Sequence, residues 1–181
     1  MGENEAACDI VDFTDPEPFE VDAAGQHLAF YPGGADRRAA LFELAEGAQV
    51  SLEVCFYIFA EDTVSTQFRD ALVAAARRGV KVTLIVDRFG ADATDEFLRP
   101  LVEAGGEFLC FSAKWTRRYL IRNHQKLVIA DGKRAMFGGF NIADDYFASP
   151  AENGWNDLGI VIEGPAVEGL NNWYAKLRLW T

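Results

Sequence analysis

The residues with most to offer chemically lie in one stretch, residues 123–146, NHQKLVIADGKRAMFGGFNIADDY. His124 and Lys126 stand two apart, just before or within an extended run, and alternation along a strand puts both side chains on one face. Leu127 and Ile129 stay out of that row. Asp131-Gly132 is a strong turn dipeptide, so a hairpin brings Gly138, Gly139 and Asn141 back alongside the pair. Two glycines let the backbone pass close to a bound group. Asn141 then opens a helix expected over residues 142–147, whose free N–H groups and partial positive end favour an anion. An imidazole, an ammonium, an amide and a helix start converging on one point suit a phosphoryl group.

The elements that must hold this stretch alternate along the chain. Residues 1–24 are acidic, contain Pro16 and Pro18 and carry no sustained period, so they read as an irregular lead-in to a single domain over residues 25–181. A short strand is expected over residues 27–32, a helix over 35–46 and a buried strand over 50–59 (VSLEVCFYIF). Asp62 or Thr63 caps a helix running to Arg78, which Gly79 ends, and a strand follows over 80–86 with Asp87 at its carboxyl end. Thr94 caps a further helix ended by Gly105 and Gly106, before a strand over 107–111. This rhythm predicts an α/β fold with a mixed, largely parallel sheet sandwiched between helices.

The spacing His124-x-Lys126, Asp131 and Gly138-Gly139-x-Asn141 matches the HKD signature of the phospholipase D superfamily at every position. A lone His-x-Lys would be an ordinary strand edge; six residues matched at fixed spacing are not. The flanks FYIFAED, ALVAAARRGVKVTLIVD, GGFNIADDY and WNDLGIVIEGPAV are similar to those of bacterial cardiolipin synthases, so the chain resembles the first catalytic half of such an enzyme over about residues 27–175.

The resemblance implies phosphodiester phosphoryl transfer on phospholipids, with no metal and no organic cofactor. His124 would attack phosphorus and form a phosphohistidine, while a second histidine on the opposite half-site handles the proton of the leaving and entering alcohols. Lys126 and Asn141 would hold the non-bridging oxygens. Asp157 is the carboxylate that the family pattern offers to fix the other ring nitrogen of His124. Asp131, at a turn, is expected to support the hairpin rather than touch phosphate. One motif is half a site, and His27 lacks the neighbourhood to be the second histidine. The active unit must therefore be a homodimer or the first half of a longer, two-motif enzyme. Alternatives are a single-motif homodimeric phosphodiesterase acting on nucleic acid and an inactive binding or dimerisation module.

Residues 114–122 (KWTRRYLIR) form a basic, aromatic approach: Lys114, Arg117, Arg118 and Arg122 would draw in anionic headgroups such as that of phosphatidylglycerol, with Trp115 beside them. The same stretch also reads as a solvated loop. Asp87 could border the cleft, whereas Asp144 and Asp145 read as first-turn carboxylates and Trp155, Trp173 and Trp180 as core or interface residues.

Bulk properties narrow the choice further. The chain is 50% hydrophobic and 13% aromatic over 181 residues, enough for one sizeable core. Its net charge of −11 repels nucleic acid and makes it the less expected partner. Cys55 and Cys110 lie in apolar runs, Cys8 stands apart, and the three have no metal-like spacing. Reduced thiols, an acidic amino terminus and the lack of an apolar run of about 18 residues predict a cytoplasmic protein, with peripheral contact at the inner membrane surface.

Overall fold

The computed structural model of the chain describes residues 14–111 and 123–181. Its strands are β1 (Phe19–Ala23), β2 (Gln26–Tyr31), β3 (Ser51–Phe56), β4 (Lys81–Asp87), β5 (Glu107–Phe111), β6 (Leu127–Ala130), β7 (Arg134–Gly138) and β8 (Gly159–Glu163). The helices are α1 (Gly34–Gly47), α2 (Thr63–Arg77), α3 (Asp95–Glu103) and α4 (Ala166–Arg178). The strands form one sheet in the order β1-β2-β8-β7-β6-β3-β4-β5.

Strand alternation sorts the core into two layers. Leu52, Val54, Phe56, Val82, Leu84, Val128 and Met136 face one side, where Leu41 and Leu44 of α1, Phe68 and Leu72 of α2 and Leu98 of α3 cover them. Cys55, Ile85, Leu127, Ile129, Ala135 and Ile162 face the other side, under Val167 and Tyr174 of α4. The mixed sheet between helices is therefore as expected. Its parallel part is smaller than expected: β3, β4 and β5 pair in parallel, and every other neighbouring pair is antiparallel. The irregular lead-in to residue 24 also needs correcting, because Phe19–Ala23 is an edge strand. It forms a hairpin with β2 through Ala24 and Gly25, both in the left-handed region, and Phe19 stacks on Phe30 at 4.7 Å.

The caps follow the residues. Asp62 accepts from the Ser65 N–H at 2.9 Å and Thr94 from the Phe97 N–H at 3.1 Å, each meeting an N–H that a helix start leaves unpaired. Gly79 and Gly105, with φ of 91° and 94°, take the backbone out of α2 and α3.

Candidate active site

Sheet register gathers the motif at one end of the sheet. Leu127 lies opposite Cys55 on one side and Phe137 on the other, Gly138 opposite Gly159, and Phe56 opposite Val86. His124 and Lys126, just before β6, thus meet the carboxyl ends of β3, β4 and β7 and the residues leading into β8.

Lys126 is buried, whereas His124 is exposed. The Lys126 Nζ lies 2.9 Å from His124 Nδ1, 3.2 Å from Nε2 and 2.8 Å from the His124 carbonyl. An ammonium can only donate, so the ring nitrogen that receives it carries no proton. Burial pushes the Lys126 pKa below the ordinary lysine value, against the opposing pull of the Asp157 charge. Below both sits Tyr57, whose ring centroid is 4.6 Å from that of His124 and 5.4 Å from the Lys126 Nζ.

The segment carrying His124 is pinned from β4. Asp87, also buried, accepts the Asn123 N–H at 2.8 Å with one oxygen and the Phe89 N–H at 2.9 Å with the other. The Asn123 amide donates to the Cys55 sulfur at 2.9 Å, and burial pushes that thiol up to about 12. Cys55 is thus a neutral core residue. Asp87 is a support for the histidine segment.

Asn141 is brought to the same end, but not at a helix start. Ile142 continues extended and bridges Phe59 in parallel, and only Asp144–Tyr146 makes a 3₁₀ turn. The expected helix over 142–147 is replaced because the Ile142 N–H and carbonyl are taken by the Ile58 carbonyl and the Ala60 N–H. Asn141 is buried; its oxygen accepts the Ile58 N–H at 3.0 Å and its nitrogen donates to the Tyr146 hydroxyl at 2.9 Å. Among the described residues, one amide N–H is left over. Asp144 turns inward to α2, accepting the Val64 N–H at 2.7 Å, rather than serving its own turn alone.

The glycines serve protein atoms. A Cβ on Gly138 would lie 2.2 Å from the Leu158 carbonyl oxygen, and one on Gly139 would lie 2.6 Å from Asp157 Oδ1. Close protein contacts thus require both glycines by themselves. Asp157 Oδ1 accepts from the Gly139 N–H at 3.2 Å and the Leu158 N–H at 2.7 Å. Among the described residues it makes no hydrogen bond to His124, so the orienting role implied by the resemblance is not seen within this chain. Asp131 is at the far end of β6. Its carboxylate accepts the N–H groups of Gln49 and Ser51 at 3.0 Å and of Val50 at 2.6 Å, tying the hairpin to the loop before β3. Lys114, Trp115, Arg117, Arg118 and Arg122 lie outside the described residues.

Sequence reasoning missed Arg37. It is fully buried in α1 and donates to the carbonyls of Pro32 (2.8 Å), Asp157 (2.7 Å) and Tyr146, so one guanidinium ties α1 to both loops of the site. The signal was there: Arg37 falls four residues before Leu41 and seven before Leu44, on the buried stripe of its helix. Tyr57 was likewise passed over within an apolar run. Trp155 is exposed and stacks on Tyr146 at 6.0 Å, at the rim rather than in the core. Trp173 packs on the α4 side of the core and also lines a cavity of about 460 Å³ with His124, Lys126, Leu127, Phe137 and Leu170.

Residues 41–177 match the family described as cardiolipin synthase, PLD-like domain, and the chain belongs to that family. It is 32% identical over 147 residues to cardiolipin synthase A of Pseudomonas entomophila, covering 78% of this chain and 31% of that protein. It is 34% identical over 143 residues to the major cardiolipin synthase ClsA of Bacillus subtilis, covering 76% and 30%. The chain thus spans about a third of the length of these curated relatives. Among solved structures, NucT from Helicobacter pylori superposes with a TM-score of 0.66 at 16% identity, covering 84% of this chain and 94% of that one. Nuc from Salmonella typhimurium, described as a phospholipase D family member, gives 0.62 at 20% identity, covering 91% and 96%. These structural likenesses establish the fold. Among the described residues no helix is long and apolar enough to cross a membrane.

Proposed function

We propose that this chain is one half-site of a phosphatidyltransferase or phospholipase acting on phospholipid phosphodiesters, with His124 as nucleophile. The observation that carries the reading is the contact of the buried Lys126 ammonium with the His124 ring at the sheet end where Asn141 also gathers. A ring nitrogen of His124 attacks phosphorus, the phosphorus–oxygen bond to the departing alcohol breaks, and a phosphohistidine results. Lys126 swings its donors from the imidazole to a non-bridging oxygen, and the spare N–H of Asn141 meets another, offsetting charge as it develops. The departing alkoxide takes its proton from a second histidine. That histidine then removes the proton from water or an acceptor alcohol, whose oxygen displaces His124 from phosphorus. The second histidine comes from another half, either a second copy or a further motif in a longer polypeptide.

A lipid substrate is favoured over nucleic acid by the wall beside the nucleophile. Leu127, Phe137, Leu170 and Trp173 adjoin His124 and Lys126 in one cavity, a cationic end on an apolar slot. Such a surface fits a phosphodiester with hydrocarbon attached. The net charge of −11 opposes a polyanion. Phosphatidylglycerol, presented in mixed micelles to the chain with its second half supplied, is expected to be turned over, and His124→Ala to abolish turnover with the fold intact by circular dichroism. Unchanged turnover in that variant sinks the assignment. Cleavage of single-stranded DNA in the same assay, with phosphatidylglycerol untouched, transfers the mechanism to the phosphodiesterase reading.

A further inference from the structure

Tyr57 follows the last residue of β3, where the chain leaves the sheet toward the parallel bridge at Phe59. Tyr57 is half-buried. Gly90 lies close against it: an added Cβ there would lie 2.5 Å from the Tyr57 carbonyl oxygen and 2.9 Å from ring carbons Cε1 and Cζ. Only glycine lets the loop after β4 lie flat on this ring. That loop is itself tied down: the Phe89 N–H bonds the Asp87 carboxylate, the Ala91 N–H the Asp87 carbonyl and the Ala93 N–H the Phe59 carbonyl, each at 2.9–3.0 Å. The Tyr57 ring also meets the His124 imidazole at 4.6 Å between centroids and 47° between planes, and the Lys126 Nζ at 5.4 Å from its centroid. One aromatic ring, held against a tied-down loop, lies beside both members of the chemical pair.

We propose that Tyr57 is a positioning residue: its ring face sets the plane of the His124 imidazole and holds the Lys126 ammonium beside it, so that both address one phosphoryl group. Two physical effects combine here. The tilted ring limits rotation of an otherwise exposed imidazole, and the negative face of the π-system attracts a cation lifted out of water. Both effects belong to the ring and not to the hydroxyl, so phenylalanine should substitute and leucine should not. The other groups that act on Lys126 are His124, Asp157 and Cys55; burial opposes its charge most, while Asp157 and then Cys55 favour it.

This inference rests on His124 being the nucleophile, and its test includes a readout that does not need turnover. The chain has two histidines, His27 and His124, so the imidazole proton resonances are assigned by comparison with His124→Ala. In the wild-type chain the His124 resonances should be displaced by the ring current of Tyr57. Tyr57→Phe should keep the displacement and Tyr57→Leu should lose it. Gly90→Ala, whose Cβ would press on the Tyr57 carbonyl and ring, should alter it while leaving the Tyr57 side chain itself unchanged. With bis(p-nitrophenyl) phosphate as probe and the second half supplied, Tyr57→Phe should stay near wild type. Tyr57→Leu should lose about tenfold to thirtyfold in kcat with little change in KM, the rate equivalent of a desolvated cation–π contact. Its alkaline limb should move to lower pH, because the ammonium has lost a group that favours its charge. Wild-type His124 shifts in Tyr57→Leu, or an unchanged kcat and pH profile, would overturn the proposal. If His124→Ala still turns over substrate, the nucleophile reading fails, while the ring-current comparison still reports whether Tyr57 orients the imidazole.

Discussion

Asn141 shows how tightly one side chain can be committed. Its amide oxygen satisfies the Ile58 N–H and one of its N–H groups meets the Tyr146 hydroxyl, all at a buried position. Asn141→Ala therefore removes a partner from the Ile58 N–H and leaves it orphaned, which should lower stability by about 1–3 kcal/mol in urea unfolding. It also removes the remaining N–H, the one proposed to meet phosphate. The rate should fall by about 10²–10³, chiefly in kcat, because the contact strengthens as charge develops. A variant that lost stability but kept kcat would make Asn141 a structural residue alone. The spacing of His124, Lys126 and Asn141 was legible because strand alternation and a turn dipeptide fix where side chains go. The partners of Asp157 and the cradle of Tyr57 were not, because they depend on which loops cross at the sheet end, which no local period encodes.

At the scale of elements, Asp131 ties two pieces of chain together. Its φ of 55° puts it in the left-handed turn after β6, and its carboxylate caps the N–H groups of Gln49, Val50 and Ser51. Burial alone would raise its pKa, but those backbone donors prevail and hold it below the ordinary carboxylate value. A carboxyl whose folded pKa is depressed stabilises the fold above its unfolded value, about 3.9, and loses that contribution as pH falls through the folded pKa. Asp131→Asn should thus be less stable than wild type at pH 7, and the gap should close on acidification below about pH 4. Denaturant unfolding at the two pH values tests this; a gap independent of pH would assign the loss to geometry instead of charge. Element types and caps were readable from the chain, as Asp62 and Thr94 bear out. Strand direction was less so. The short apolar runs of β6 and β8 look alike whether neighbours run parallel or antiparallel, so the parallel share of the sheet was overestimated. Phe19–Ala23 was missed because every residue of this edge strand is exposed and its alternation packs against no core.

For the whole molecule, the decisive question is where the second histidine comes from. The proposed mechanism needs one imidazole to attack and another to manage the proton, and His27 lies away from the site, on the outer hairpin, its Nδ1 2.9 Å from Asp22 and its Nε2 3.7 Å from Glu20. The acidic neighbours raise its pKa, the Asp22 hydrogen bond foremost, and sheet register sets it opposite Glu163, at the end of β8 away from Gly159 and Gly138, so its place and not its basicity keeps it from the site. Two copies of the chain can supply two His124 rings, and this has a stoichiometric signature. Light scattering should give twice the 20.0 kDa chain mass at the concentrations where turnover is seen, and specific activity should fall as dilution dissociates the pair. Mixing wild type with an equal amount of His124→Ala and allowing exchange should cut the wild-type rate by about half, since a mixed pair holds only one catalytic ring. A rate unaffected by the mixing would mean each chain works alone, which the two-histidine scheme forbids. A monomer without activity, rescued by adding a separate second-motif half, would instead place this domain inside a longer architecture, consistent with its spanning about a third of its cardiolipin synthase relatives.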